Sequence, residues 1–159
     1  MTIYNYCLND IPGVVAANTF VSFFNPASST VTMSAILAIV TNYDTGSSQA
    51  ANSMTNQRIT AASGGTLVAA STIPRYAIPL PDPQVQVRIG NPTVTTSGLV
   101  TIAYPPPFAS IPSIGSSTSV AAPPGTAFLC PPGNGLIFST AAGATTQMWN
   151  ITFVWSENP

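Results

Sequence analysis

Four carboxylates and three guanidinium groups make up the charged inventory of this 159-residue chain. They are Asp10, Asp44, Asp82 and Glu157, with Arg58, Arg75 and Arg88. Lys and His are both missing. Without His there is no Ser-His or Cys-His nucleophile pair and no histidine metal site. Without Lys there is no Schiff base and no P-loop. Glycoside hydrolysis needs two facing carboxylates. The four present fall in segments that read as loops or near residue 159, and Asp44 and Asp82 read as turn formers through Asx-type hydrogen bonds. Calcium takes several oxygen ligands with carboxylates among them. Residues 42–44 offer one. The sequence therefore names no catalytic, cofactor-binding or metal-ligating residue, and a non-enzymatic role is expected.

Cys7 and Cys130 are the only cysteines. Two thiols so far apart make no metal motif, since a zinc site takes about four N or S ligands. A disulfide between them is one reading. In a chain made in a reducing cytosol, two free buried thiols are the expected state. The triplet Asn150-Ile151-Thr152 matches a glycosylation sequon, but it falls inside an expected strand and is read as incidental.

Charged residues are 4% of the chain, against about 25% in an ordinary soluble domain. Charge keeps proteins dispersed, and a net charge near zero favours association. The formal net charge here is −1. A surface of this kind is expected to be covered in an assembly, with copies of the same chain as partners. The three Arg form no basic patch, so no nucleic-acid partner is expected. They are expected to anchor loops through carbonyls or to pair with the few carboxylates. The longest strongly apolar stretch is Met33–Val40, well short of the roughly 18 residues of a membrane-spanning helix. The N-terminal segment MTIYNYCLND has no basic residue and no uninterrupted apolar core. No signal peptide and no membrane association are expected, and synthesis in a cytoplasm is the expectation.

β-Branched and aromatic residues dominate the ordered-looking stretches, and Pro, Gly, Ser and Asn separate them. Strands are predicted at Thr19–Phe24, Thr30–Asn42, Thr55–Ala61, Thr66–Thr72, Gln84–Ile89, Leu99–Tyr104, Thr126–Cys130, Leu136–Thr140 and Gln147–Trp155. Within Thr30–Asn42, Val31, Met33, Ala35, Leu37 and Ile39 are assigned to one face. Thr32, Ser34, Ile36, Ala38 and Val40 go to the other. Ser63-Gly64-Gly65 reads as a hairpin turn between its two flanking strands. In the last strand Trp149, Ile151, Phe153 and Trp155 form the apolar face. The expected fold is all-β, a single β-sandwich or jelly roll of about eight or nine strands with Pro-rich loops. One domain covers 1–159, with 1–18 as a candidate N-terminal arm and 104–125 as a Pro/Ser-rich excursion.

That excursion carries Tyr104 and Phe108 beside three consecutive prolines. Prolines cannot donate to a sheet, so an extended, exposed arm is expected. Tyr104 and Phe108 are its candidate interface residues.

Three stretches carry a family resemblance: FVSFFNPASSTVTMSAILAIVTN, NQRITAASGGTLV and GNGLIFSTAAGATTQMWNITFVWSE. They span roughly Phe20 to Glu157, without the Pro-rich middle. The chain resembles small β-sandwich virion structural proteins of tailed bacteriophages, some of which are head decoration proteins. The resemblance implies a phage capsid decoration or cement protein on the outside of the shell. Its partners would be the major capsid protein and copies of itself, in a homo-oligomer that is a trimer by analogy, and its location the virion. The alternative from the residues is a receptor- or glycan-binding module at a tail or fibre tip, using Tyr43, Tyr104 and Phe108.

Overall fold

In the computed structural model, residues 1–12, 18–44, 54–76, 81–104, 116–121, 128–140 and 147–159 are described. The alternating apolar stretches become strands that pair only antiparallel. They are β1 (Thr2–Pro12), β2 (Asn18–Asn25), β3 (Thr32–Asp44), β4 (Met54–Ser63), β5 (Thr66–Leu67) and β6 (Gln86–Ile89). Then follow β7 (Thr93–Tyr104), β8 (Ser116–Ala121), β9 (Phe128–Cys130), β10 (Asn134–Thr140) and β11 (Gln147–Asn158). Among the described residues a 3-10 turn covers Ala70–Thr72. The expected all-β sandwich class is what forms, with eleven strands among the described residues rather than eight or nine.

One sheet runs β1-β11-β3-β8, with β9 also on β3. The other runs β5-β6-β2-β10-β4-β7. Between them lies one core, in which Phe23 and Phe138 of the second sheet meet Phe153 and Trp155 of the first. The Phe23 and Phe153 rings are 4.3 Å apart, Phe138 and Phe153 meet edge-on at 5.8 Å, and Tyr4 stacks on Trp155 at 5.6 Å. The predicted apolar face of the closing strand, Trp149, Ile151, Phe153 and Trp155, is fully inside.

Four expectations need correction. Residues 2–12 of the candidate arm form a strand, paired with β11 from Thr2↔Glu157 to Pro12↔Met148. Tyr4, Tyr6 and Leu8 alternate toward the core, which is what seats this strand. Second, the Pro/Ser-rich excursion contains β8, six residues paired with Leu37–Asn42 of β3. Third, β4 and β5 form no hairpin with each other: β4 pairs with β7 and β10, and β5 with β6. Gly64 and Gly65 do take positive φ, 61° and 57°, but the turn hands the chain across the sheet to its far edge. Fourth, the two assigned faces of β3 exchange midway. Trp155 faces Ala35 while Val154 faces Leu37, so Ile36 is an extra residue, a β-bulge. Met33 and Ala35 point into the core before it, Ala38 and Val40 after it. The bulge also divides the free edge of β3, with β9 on Met33–Ala35 and β8 on Leu37–Asn42.

The turn Pro131-Pro132-Gly133 leads into β10 at a point where only glycine fits. A Cβ on Gly135 would lie 2.3 Å from the Phe23 carbonyl oxygen and 2.8 Å from the Phe24 Cα. Asn25, fully buried, ties this end together by donating Nδ2 to the carbonyls of Val31 (2.7 Å) and Cys130 (3.0 Å).

Candidate functional site

The chemistry-bearing residues are scattered by the fold, and most are engaged internally. Arg58 Nη1 donates to the Leu129 carbonyl at 3.0 Å. Arg88 Nη1 donates to the Gly64 carbonyl at 3.0 Å. Arg75 pairs with Asp82. These are the two structural uses expected of Arg here, carbonyl anchoring and carboxylate pairing. Asp82 is thus held by an ion pair rather than an Asx turn. Asp10 sits in a second bulge, between Leu8 and Ile11 of β1, at φ 53°. Its amide donates to Asn150 Oδ1 at 2.7 Å, and Asn150 Nδ2 donates on to Thr41 Oγ1. The sequon asparagine is therefore part of the strand framework. Asp44 closes β3 opposite Gln147.

Glu157 is the largest departure from expectation. It reads as an end-of-chain acid, yet it is 5% exposed. Its Oε2 accepts the Gln84 amide and its Oε1 the Val85 amide, both at 3.0 Å, and Oε1 also lies 3.3 Å from the Trp155 indole N–H. Gln84 and Val85 come just before β6, where no strand partner takes their N–H groups. The carboxylate supplies acceptors in place of a sheet neighbour, which a buried donor requires. Gln84 in turn anchors the β2–β3 turn, its Oε1 accepting the Thr30 amide at 2.9 Å and the Ser29 hydroxyl at 3.1 Å.

A cleft of about 290 Å³ opens beside this clamp, walled by Tyr4, Thr30, Asp82, Gln84 and Glu157. The Tyr4 hydroxyl donates to the Pro81 carbonyl at 3.0 Å. Burial, and then the nearby Glu157 charge, push the Tyr4 phenol above its usual range. Both carboxylates of the cleft are already engaged, one by Arg75 and one by three N–H donors. The arrangement braces a proline-rich segment against the closing strand. Among the described residues, no group of three or more His, Cys, Asp or Glu side chains is placed to hold a metal ion. No described helix is long and apolar enough to cross a membrane.

The cysteines are free, Cys130 buried and Cys7 exposed. The expectation of two buried thiols fails at Cys7 because its side chain lies on the outer face of β1, where Thr152 Oγ1 donates to its sulfur at 3.4 Å. Burial raises the Cys130 thiol to a pKa of about 11.

Of the two candidate interface residues, Tyr104 is the last residue of β7, with its backbone opposite Met54. Phe108 lies outside the described residues. Exposed apolar side chains sit elsewhere, at Leu67, Tyr76 and Leu129. Sequence reasoning had no means of finding these, since each stands alone in its segment.

Comparison with protein-family models, with curated proteins and with solved structures finds no match, so the functional reading rests on the residues themselves.

Proposed function

We propose that this chain is a non-enzymatic structural protein of a virus particle, a capsid decoration or cement subunit that binds the outside of the shell. The observation that carries this reading is the state of its charges. Arg58, Arg75, Arg88, Asp82 and Glu157 all hold internal partners. Among the described residues few charges reach the surface, and the half-exposed Asp82 is paired with Arg75. Such a surface gains little by remaining dispersed and associates without ion pairs. The open sheet edges support the same reading. β7 at one end of the six-stranded sheet pairs, among the described residues, only with β4. β1 is shielded at Ile3–Asn5 by residues 74–76. Unpaired edges invite pairing with another chain. Copies of the same chain and the major capsid protein are the proposed partners, with Tyr104 and Phe108 as contacts on the arm that begins at Tyr104.

The test is mass spectrometry with stoichiometry on purified particles of the virus encoding the chain. A decoration subunit is expected at on the order of hundreds of copies in a symmetric shell. A handful of copies, recovered with the tail, overturns the shell assignment in favour of a tip module. Absence from particles overturns the virion reading.

A further inference from the structure

We infer that the outer face of the five-stranded sheet is a docking surface for a second copy of this chain. Register fixes which side chains lie on that face. On β11, Phe153 and Trp155 point into the core, so Thr152, Val154 and Ser156 point outward. Val154 stands opposite Leu37 of β3, and Thr152 opposite Ile39. Ser156 stands opposite Ser34, which on its other side faces Leu129 of β9. Cys7 of β1 flanks Thr152 from the far edge.

The relief of this face is self-complementary. Val154 and Ser156 are 7% and 2% exposed, whereas Leu129 is 52% exposed, and Leu37 and Ile39 are half-buried. The small side chains of β11 line a trough, and the larger ones of β3 and β9 form a ridge beside it. Sheets that pack face to face interdigitate their side chains across about 10 Å. About a two-fold axis, the ridge of one copy enters the trough of the other, and the same contacts recur in reverse. One surface supplies both halves of the fit.

Charge selects the same occupant. Among the residues just named on this face, the Cys7 thiol is the one ionisable group. An ordinary protein surface draws on a chain with about 25% charged residues. It would bury charges here against no counter-charge, which is costly. A second copy, 4% charged, brings the same charge-free face. Four strands at about 4.8 Å spacing and roughly 27 Å of β11 give a footprint of ~500 Å² per copy. The pair then buries ~1,000 Å², the lower bound for a specific interface, so a dissociation constant on the order of micromolar is expected. This deepens the proposed pairing of copies without resting on a place in the virion, and it uses neither Tyr104 nor Phe108.

The test uses the purified chain alone, so particle stoichiometry remains a separate test of the shell reading. Sedimentation from about 1 μM to about 1 mM is expected to show a monomer–dimer equilibrium. Cys7 is an internal probe, because it is exposed while Cys130 is buried. Its modification by a maleimide is expected to slow at least about fivefold from the dilute to the concentrated end, as the dimer covers it. Leu129→Arg is expected to weaken the dimer at least about tenfold and to make Cys7 labelling independent of concentration. Leu67→Arg, a control at an equally exposed leucine of the other sheet, is expected to change neither readout. Unfolding midpoints show that both variants are folded. The inference is overturned if the chain stays monomeric throughout, or if an oligomer forms with Cys7 labelled at the dilute rate. It is also overturned if folded Leu129→Arg dimerises as the wild type does, or if Leu67→Arg dissociates the dimer equally.

Discussion

Phe153 touches the rings of Phe23, Phe138 and Trp155 at centroid distances of 4.3, 5.8 and 5.9 Å and is 1% exposed. It joins the two sheets, so a void there cannot be filled by a shift of one strand. Phe153→Ala is expected to cost about 3–5 kcal/mol, measured as a drop in the denaturant midpoint at constant m-value. An unchanged midpoint would place Phe153 outside the core. Cys130 makes a different kind of prediction. Its ordinary thiol value of 9.0 rises to about 11 because the folded chain buries it. A raised acid holds its proton in the folded state while the unfolded state releases it. Stability is therefore unaffected below pH 9, falls as pH rises from there, and levels off near pH 11. The loss approaches about 2.7 kcal/mol at 1.36 kcal/mol per unit. Tyr4 and Tyr6, both raised chiefly by burial, add to the fall above pH 10. Unfolding midpoints of wild type and Cys130→Ala between pH 7 and 11 check this. The decline between pH 9 and 10 is expected to be absent in the variant.

Among the elements, β11 was readable and β3 only in part. Trp149, Ile151, Phe153 and Trp155 are large and strictly alternating, and alternation is set by backbone geometry alone. The Ile36 bulge is set by how β3 meets three neighbours, β11, β8 and β9. Nothing in the residues Ala35-Ile36-Leu37 announces it. Deleting Ile36 would remove the extra residue and leave Ala35 and Leu37 as neighbours opposite Trp155 and Val154, so both halves of β3 keep their partners. Met33, Ala35, Ala38 and Val40 then fall on one regular face toward the core. The deletion is expected to preserve cooperative unfolding, and Ile36→Val, which keeps the bulge, is expected to shift stability by no more than about 1.5 kcal/mol. Thermal melts of the two check this, and loss of cooperative unfolding on deletion would show that the bulge itself is required. β1 carried an ordinary signal, Tyr4, Tyr6 and Leu8, interrupted by Asn9-Asp10 where the strand bulges. Glu157 was beyond local reading altogether. Its burial depends on the amides of Gln84 and Val85, more than seventy positions earlier. The proposed contacts at Tyr104 and Phe108 came from the proline run itself, which fixes what a segment cannot do and leaves open what it touches.

At the scale of the whole molecule, the charge deficit governs behaviour in solution. At least five of the seven formal charges have internal partners in the fold. Screening has little left to act on. Oligomers of this chain are expected to persist from low salt to about 1 M NaCl, where the Debye length falls to about 3 Å. Light scattering across that range is the measurement, and dissociation at high salt would show that ion pairs hold the assembly. The sheet order has a further consequence, for the time course of folding. β11 lies between β1 and β3, so the strand latest in sequence order occupies the interior of its sheet. β1 and β3 have no pairing with each other, so β1 waits for this late segment, while β3 can pair earlier with β8 and β9 on its other edge. During synthesis the first sheet cannot be completed while earlier strands emerge, and the apolar face of β1 remains the charge of chaperones until residues 147–158 arrive. Pairings of such long sequence separation also place folding in the slow, millisecond-to-second regime of β proteins.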